Sequence, residues 1–297
     1  MKIPFHRPHI TNKEFESIKD SLLSGWLTMG PKTLQFELAF KSYLNVDYSI
    51  SVNSATAALH LALNAIGVKQ GDEVIIPTNT FVAAAEAVAY SGAIPVLCDI
   101  EPNNHNINVD LIQDLVTTKT KAIIPVHFGG NPCDMDEIKK IANHFNLKII
   151  EDAAHALPSS YKNKKIGTLS DAVCFSFYAT KTLTTGEGGM VTTNNSKIAE
   201  KVRIQRLHGI NGDAWKRYEQ DNDWYYEVID LGYKYNTTDI QSAIGLVQLE
   251  KLEWMRDERK MIAEKYKNAF AGKLNFINED NRNESSWHLF VIKIGNR

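Results

Sequence analysis

Between residues 49 and 193, short apolar runs alternate with longer amphipathic segments. Each run has the length of a buried strand, and most of the segments between them carry apolar residues at helical spacing. This alternation predicts an α/β fold in which a mainly parallel, mixed sheet is flanked by helices. The predicted strands are Ser49–Val52, Val74–Pro77, Ile94–Cys98, Ala122–Val126, Leu147–Ile150, Val173–Phe177 and Gly189–Thr192. The predicted helices between them are Ala55–Ile66, Phe81–Ala89, Val109–Leu115 and Met135–His144.

Two more predicted helices frame this block of strands. Pro31–Leu44 begins with a proline, which suits the first turn of a helix. Asp239–Phe270 is predicted to be one long helix, with Asp239 as its N-cap and apolar residues along one face. The polar and aromatic stretch 211–235 has no clear period and is predicted to be a loop.

The last predicted strand, Trp287–Ile294, lies close to the end of the chain. One strand after a long helix cannot bury its apolar surface alone, so we expect it to join another sheet or to belong to an incomplete domain. We therefore predict a large domain over residues 1–238. Residues 239–297 are then the linking helix and the start of a truncated small C-terminal domain.

The charge balance of the 297-residue chain is nearly neutral, with 33 basic and 35 acidic side chains. Bulk charge therefore gives no signal for binding nucleic acid or an anionic membrane. The three cysteines (Cys98, Cys133 and Cys174) show no CxxC spacing, and two of them lie in apolar runs, which predicts buried thiols in a reducing compartment. No signal-peptide or membrane-spanning pattern is visible, and we expect a cytoplasmic protein.

Candidate chemistry begins with Lys181, which follows the apolar run Ala172–Phe177. Burial at a strand exit lowers the pKa of a lysine, and a neutral amine can form a Schiff base with an aldehyde. Upstream, the run Leu147–Ile150 delivers Glu151 and Asp152 to a second strand end. A carboxylate paired with such a lysine suits pyridoxal phosphate (PLP). The pair taken alone is better explained by a lysine–aspartate salt bridge at the sheet edge, and it is the surrounding residues that favour PLP.

A phosphate site is predicted where the strand before residue 53 gives way to an alanine-rich helix. The free N–H groups of a helix N-terminus bind phosphate, and Ser54 and Thr56 add hydroxyl groups. Ser176, five residues before Lys181, is placed to contact the same phosphate. An ordinary helix cap is the alternative interpretation of residues 53–59.

Two ring-shaped side chains are candidates for contact with the pyridine ring. Phe81 follows the strand that ends near Pro77, and His155 lies three residues after Asp152. Phe81 can stack on an aromatic ring. His155 can pack on the opposite face or orient Asp152. The alternative is that both are ordinary core residues.

Seven stretches of the chain resemble the DegT/DnrJ/EryC1/StrS sugar aminotransferases, which have the fold of type I PLP-dependent enzymes. They occur in the family's order over nearly the whole chain. They are Gly25–Pro31, Gly71–Ile75, Thr80–Ala83, Glu151–Ala156, Phe175–Lys181, Gly186–Gly189 and Ala243–Leu246.

The resemblance implies that Lys181 forms the Schiff base with PLP and that Asp152 pairs with the pyridine nitrogen. Phe81 and His155 match the positions that pack on the ring. The residues that match the phosphate-binding positions are Ser54, Ala55, Thr56 and Ser176.

The resemblance also implies a homodimer with shared active sites, in which the loop 232–236 reaches the cofactor of the partner. Many family members carry Asn where Lys234 stands and Arg where Asn236 stands. Lys234 can still serve a phosphate as a point charge, but a bidentate contact is lost. Family members also continue into a small C-terminal domain that helps to cover the substrate.

The function implied by the resemblance is transamination from an amino acid, L-glutamate by family habit, to a nucleotide-linked keto sugar. Such reactions serve amino-sugar and cell-surface polysaccharide biosynthesis. Weaker candidates for the sugar site are Trp26, Thr28, Glu187 and His208, each of which is equally explained by loop packing.

Two other functions stay open at this point. A pyridoxamine-dependent sugar dehydratase has the same fold, but such enzymes carry histidine where this chain has Lys181. A non-catalytic PLP-binding or regulatory dimer is the other alternative, favoured by the short C-terminal region and opposed by the presence of Lys181 and Asp152.

Overall fold

The computed structural model describes residues 4–211, 226–277 and 280–295. Its centre is a seven-stranded sheet in the order β1-β9-β8-β5-β4-β2-β3. Strand β9 runs antiparallel to both of its neighbours, and the other pairs are parallel, as the mixed-sheet prediction requires. The strands are β1 (Tyr48–Val52), β2 (Glu73–Pro77), β3 (Ile94–Cys98), β4 (Thr120–Ile123), β5 (Lys148–Asp152), β8 (Ala172–Ser176) and β9 (Gly189–Thr193).

The helices and the remaining strands lie around this sheet. The helices are α1 (Asn12–Ser24), α2 (Pro31–Leu44), α3 (Ala55–Ala65), α4 (Ala83–Tyr90), α5 (Val109–Ile112), α6 (Met135–Phe145), α7 (Ser196–Gln205), α8 (Asp239–Glu250) and α9 (Leu252–Phe270). Two small antiparallel pairs complete the described elements: β6 (Ser160–Tyr161) with β7 (Lys164–Lys165), and β10 (Asn275–Phe276) with β11 (Ile292–Lys293).

Two apolar clusters fill the space on the two faces of the sheet. Alternating strand residues divide between them: Ile149 belongs to the cluster that α2 and α6 cover, whereas Ile150 belongs to the cluster that α3 and α7 cover. Because both faces are buried, the strands are apolar at successive positions rather than at every second one. This is why the sequence shows them as continuous apolar runs.

The strand predicted over residues 122–126 is shifted in the structure. Strand β4 covers Thr120–Ile123, and Val126 forms only an isolated bridge with Asp152. Pro125 lies between them and has no N–H to donate, which explains why regular pairing stops. Helix α1 was not predicted; Thr11 and Glu14 form a capping box at its start, so a local signal was present.

The single long helix predicted over Asp239–Phe270 is wrong. The chain forms α8 and α9 with a break at Lys251, whose φ of −108° and ψ of 8° are not helical. Asp239 is also not the N-cap of α8. Thr238 takes that role in a capping box with Gln241, and the Asp239 carboxylate binds another helix.

The strand predicted over Trp287–Ile294 is present only in part. Ile292–Lys293 pairs with β10 in a separate two-stranded sheet. The preceding backbone instead binds the loop around Gly129, to which Leu289 N donates a hydrogen bond of 3.1 Å. The domain division at residue 238 stays a prediction, and residues 212–225 of the predicted loop lie outside the described residues.

All three cysteines are buried and free, as predicted. In the described ranges, no helix is both long and apolar enough to cross a membrane. Within the same ranges, no group of His, Cys, Asp and Glu side chains is arranged to hold a metal ion.

Glu14 anchors α1 to α8 and α9, and we expect its charge to stabilise the fold. Burial alone would raise the pKa of Glu14, but hydrogen bonds from Lys251, Thr11 and Gln248 lower it from 4.5 to about 2. Its contribution is therefore present above pH 4.5 and is lost as the pH falls toward 2. Glu14→Gln should lower the free energy of unfolding by about 1–3 kcal/mol at pH 7, measured in urea. The difference between the two proteins should shrink as the pH falls through this window; a constant difference would contradict the electrostatic explanation.

Candidate active site

The carboxyl ends of β5 and β8 bring the two predicted catalytic residues to one edge of the sheet. Asp152 is the last residue of β5 and lies opposite Cys174 of β8. Lys181 follows the end of β8 after a turn in which its own N–H donates to Tyr178 O at 2.9 Å. Because parallel neighbours end at the same edge, the amine and the carboxylate share one site.

Asp152 is a buried carboxylate, 5% exposed. One carboxylate oxygen accepts a hydrogen bond of 3.0 Å from Ala154 N. Burial raises the pKa of Asp152, while this hydrogen bond and the positive charge of Lys181 partly oppose the increase. The side chain is therefore suited to share a proton with a basic group in a hydrogen bond.

Lys181 is half-buried, and its amine is easier to deprotonate than an ordinary lysine. Burial lowers the pKa of Lys181, and the negative charge of Asp152 opposes the decrease without cancelling it. The two groups affect each other electrostatically, which places the amine and the carboxylate near one another. A lysine in this state is a nucleophilic amine.

The predicted phosphate site lies at the N-terminus of α3. Ser54 is the N-cap, and its Oγ accepts a hydrogen bond of 3.1 Å from Ala57 N. The N–H groups of Ala55 and Thr56 belong to the first turn, where a helix has no internal partners for them. These two backbone donors suit an anion, although Ser54 also acts as the ordinary cap of its helix and its hydroxyl donates to Asn53 Oδ1 at 3.4 Å.

Gly189 brings Ser176 to this helix N-terminus. It pairs with Val52 of β1 on one side and with Ser176 of β8 on the other. A Cβ at residue 189 would lie 2.6 Å from the carbonyl carbon of Ser54. Only a glycine allows this close approach, which places the Ser176 end of β8 beside the start of α3.

Phe81 is 75% exposed, although it is a large apolar side chain. The interpretation of Phe81 as a core residue is therefore wrong. It precedes α4 and leaves one ring uncovered at the carboxyl edge of β2. An exposed ring in this position can pack against a planar ligand.

His155 lies in the site and is held by a loop that the sequence did not mark. Gly129 N donates to His155 Nδ1 at 3.3 Å, so the ring proton is assigned to Nε2. The His288 ring stacks on His155 with centroids 4.3 Å apart. Burial and the nearby positive charge of Lys181 lower the pKa of His155 to about 3, which keeps it neutral.

His288 was missed by the sequence analysis because it is far from the other site residues in the chain. Burial, reinforced by His155 and Lys181, lowers the pKa of His288 to about 2. Its Nδ1 atom is buried without a hydrogen-bond partner. The preceding Trp287 has a positive φ of 54°, but this conformation has no signature in the sequence.

Glu151 is delivered to the strand end with Asp152 but faces the other side of the sheet. Its carboxylate is fully buried and binds His127 Nε2 at 2.8 Å. His127 Nδ1 accepts a hydrogen bond of 3.0 Å from Cys133 N. This pair therefore fixes the loop beside β5 and is separate from the Lys181 amine.

The predicted interface residues lie next to the phosphate site in the same chain. Lys234 has an exposed side chain, and its carbonyl oxygen accepts a hydrogen bond of 3.3 Å from Asn53 Nδ2. Asn236 Nδ2 donates to Thr237 O at 3.0 Å, whereas Asn236 Oδ1 is buried without a partner. Their predicted contact with a partner subunit stays a prediction.

The four weaker substrate candidates do not form one cluster of side-chain contacts. Trp26 packs over Gly30, and its Nε1 donates to Met29 O at 3.1 Å. Thr28 and Glu187 are exposed, and so is His208, which is held through its backbone by Tyr233 O at 2.9 Å. Their roles stay predictions.

These residues fit pyridoxal phosphate. An amine with a lowered pKa and a buried carboxylate lie at one sheet edge, as the aldehyde and the ring nitrogen require. A helix N-terminus with a glycine-lined cradle suits the phosphate. The uncovered Phe81 ring suits the flat face of the cofactor.

Sequence comparisons identify related proteins. The model of the DegT/DnrJ/EryC1/StrS aminotransferase family matches residues 8–297. The chain is 51% identical over 294 residues to protein MJ1066 of Methanocaldococcus jannaschii. It is 45% identical over 296 residues to the spore coat polysaccharide biosynthesis protein SpsC of Bacillus subtilis. Each alignment covers 98% of this chain and 76% of the relative.

Solved structures give the same result. The PMP form of Spr1654 from Streptococcus pneumoniae has a TM-score of 0.92 and 36% identity, over 99% of this chain and 79% of that one. Its PLP form has a TM-score of 0.91. PseC of Helicobacter pylori, an aminotransferase in pseudoaminic acid biosynthesis, has a TM-score of 0.91 and 32% identity, over 98% and 77% of the two chains. With the family match, these likenesses identify pyridoxal phosphate as the cofactor.

The lowered pKa of Lys181 gives a test that needs no substrate. In the cofactor-free protein, Lys181 should be acetylated by acetic anhydride at lower pH than exposed lysines such as Lys140, because more of its amine is neutral. Asp152→Asn should move the midpoint lower still, since the charge that opposes the decrease is removed. Mass spectrometry of peptides labelled over a pH series gives both midpoints. A Lys181 midpoint equal to that of Lys140 would count against the assignment.

Proposed function

Because the chain belongs to the DegT/DnrJ/EryC1/StrS aminotransferase family, we propose that it moves an amino group from L-glutamate to a nucleotide-linked keto sugar. It is a PLP-dependent sugar aminotransferase, as the family and its structural neighbours establish. The observation that carries the proposal is the Lys181 amine and the buried Asp152 carboxylate at one sheet edge.

The names of two similar proteins support a place in surface-sugar biosynthesis. SpsC is named for spore coat polysaccharide biosynthesis, and PseC for pseudoaminic acid biosynthesis. We extend this context to the present chain and propose an amino sugar of the cell surface as the destination of the product. The buried free thiols support action in a reducing compartment, the cytoplasm.

The reaction needs a base that acts on a carbon-bound proton. Bound PLP supplies a ring that stabilises negative charge at the α-carbon of the amino donor. In the proposal, the Lys181 amine would be the group that holds the cofactor. When free, the same amine would remove the proton from the donor α-carbon and would supply a proton to the acceptor carbon, as its lowered pKa allows.

Asp152 is proposed to keep the proton on the pyridine nitrogen. A buried carboxylate interacts strongly with a cationic partner because little water screens the pair. Phe81 is proposed to cover one face of the ring, and His155, held neutral, to pack on the other without adding positive charge. Ser54, Ala55, Thr56 and Ser176 are proposed to bind the phosphate.

We also propose that the active enzyme is a homodimer with shared sites. Lys234 supports this, because an exposed lysine whose backbone is tied to Asn53 lies near a phosphate site without an anionic partner of its own in the described ranges. In the dimer Lys234 would contribute a point charge to the cofactor phosphate of the partner subunit. Sedimentation of the holoenzyme measures the oligomeric state.

The spectrum of the protein with PLP tests the function directly. Wild-type protein should hold PLP through borohydride-reducible linkage and show a cofactor band that decays when L-glutamate is added. Lys181→Ala should bind PLP only reversibly and give no reducible adduct. Lys140→Ala, an exposed lysine, is the control and should behave as wild type. An adduct that persists in Lys181→Ala, located by mass spectrometry, would refute the assignment.

The acceptor is tested separately with UDP- and dTDP-linked 4-keto-6-deoxy sugars after the glutamate half-reaction. Amino-sugar formation with either compound supports the nucleotide-linked proposal. Completion of the glutamate half-reaction with transfer only to free keto sugars would refute it. Transfer to no sugar at all would favour the non-catalytic, PLP-binding alternative.

The variant Phe81→Ala tests whether Phe81 contributes to PLP binding or to the stability of the fold. Since the ring is 75% exposed, its removal should change the free energy of unfolding of the cofactor-free protein by less than about 0.5 kcal/mol. PLP affinity should fall about tenfold, because a stacking surface is lost. Urea unfolding and equilibrium dialysis give the two quantities. If Phe81→Ala greatly lowered the free energy of unfolding but left the affinity for PLP unchanged, Phe81 would have a structural role and not a binding role.

A further inference from the structure

The first turn of α8 holds a segment of the chain that is more than two hundred residues away. Asp239 is 2% exposed, and its carboxylate does not serve its own helix. Oδ1 accepts hydrogen bonds from Gly30 N at 2.8 Å, Thr33 N at 2.9 Å and Thr33 Oγ1 at 2.7 Å. Oδ2 accepts from Lys32 N at 3.0 Å. Asp239 therefore caps α2 from outside, where Gly30 has no side chain to do so.

The same residue also fixes the chain before α2. Asp239 N donates to Thr28 O at 3.0 Å. Trp26 lies over Gly30, where a Cβ would be 1.9 Å from the indole Nε1 atom. The segment 26–33 is thus held by one buried carboxylate, one backbone N–H and one indole ring.

A second side chain of this turn reaches the loop beside Lys181. Gln241 Nε2 donates to Glu187 O at 2.8 Å, and Gln241 Oε1 accepts from Thr238 N at 3.1 Å. The neighbouring Gly186 forms a bridge with Tyr178, whose carbonyl oxygen holds Lys181 N. A short series of hydrogen bonds therefore connects the start of α8 to the lysine turn.

Helix α2 also contacts the strand that leads to Lys181. The Phe36 ring lies 5.4 Å from the Phe177 ring. Gly245 of α8 permits the close packing, since a Cβ there would be 2.7 Å from Phe36 Cζ. Helix α2, which directly follows residues 26–30, is therefore packed against Phe177, four residues before Lys181.

We propose that Asp239 is a positioning residue that fixes the segment 26–33 as one wall of the Lys181 site. This inference rests on the proposed function and on the sequence-based prediction that Trp26 and Thr28 contribute to the sugar site. Asp239 can fix this segment because several hydrogen-bond donors of the segment bind its one carboxylate. Four hydrogens, three of them from the start of a helix whose dipole favours negative charge, converge on a group with no cationic partner in the described ranges.

The test uses the holoenzymes of Asp239→Asn and Asp239→Ala. Asparagine keeps the size but turns an amide group toward a backbone N–H, and alanine removes both acceptor oxygens and with them all four hydrogen bonds. Asp134→Asn is the matched control, because Asp134 is also a helix-capping aspartate but caps α6 and makes no contact with residues 26–33 in the described ranges. Hydrogen exchange of the amides of Gly30, Lys32 and Thr33 measures how firmly the segment 26–33 is held. The rate at which hydroxylamine attacks the bound cofactor measures how accessible the site is.

In both Asp239 variants, the three amides should exchange at least about tenfold faster than in wild type. Hydroxylamine should react about fivefold faster, while PLP content and the rate of the glutamate half-reaction stay within about twofold. Alanine should have the larger effect. Asp134→Asn should change neither the exchange rates of these three amides nor the rate of the hydroxylamine reaction. If alanine prevents folding, the asparagine variant decides the outcome.

Faster exchange with a wild-type hydroxylamine rate would overturn the proposal, because Asp239 would then support only the fold. A glutamate half-reaction slowed tenfold would also overturn it, since the effect would be on Lys181 and not on the wall. A wild-type protein without a reducible PLP adduct would refute the proposed function instead, and the exchange rates would still decide whether Asp239 fixes residues 26–33.

Discussion

The close contact between Gly189 and the backbone of Ser54 is the constraint on which the site depends. The antiparallel strand β9 lies between β1 and β8, so its first residue must fit between the ends of both. With 2.6 Å from the position of a Cβ to the Ser54 carbonyl carbon, no other residue fits without moving the backbone. This contact brings together the start of α3, the end of β8 and, through the following turn, Lys181.

Burial then sets the chemistry of the groups that the backbone brings together. Desolvation raises the pKa of Asp152 and lowers the pKa of Lys181, so it moves both groups toward the neutral form. Their mutual attraction opposes both changes. His155 and His288, stacked and neutral, add no competing charge next to the lysine. The site thus combines a reactive amine with a carboxylate that retains affinity for a cation.

The sequence predicted the parallel sheet and the Lys181 and Asp152 positions because these depend on local patterns: apolar runs and the residues that follow them. It did not predict the break at Lys251 or the cap provided by Asp239, since each depends on a partner far along the chain. His288 was missed for the same reason. Thr238 and Gln241 did carry a local capping signal, but the neighbouring aspartate was preferred as the cap.

The burial of all three thiols has a practical consequence for spectroscopy. Burial raises the pKa of Cys98 to about 11, and burial together with the charges of Asp152 and Glu151 raises the pKa of Cys174 well above its ordinary value. The thiolate is the form that reacts with maleimides, and all three thiols are buried. The native cysteines should therefore react very slowly with maleimides in the folded protein. A cysteine introduced on the surface would then be the one position to take up a fluorophore or spin label. Distances across the sheet edge become measurable without first removing the native cysteines.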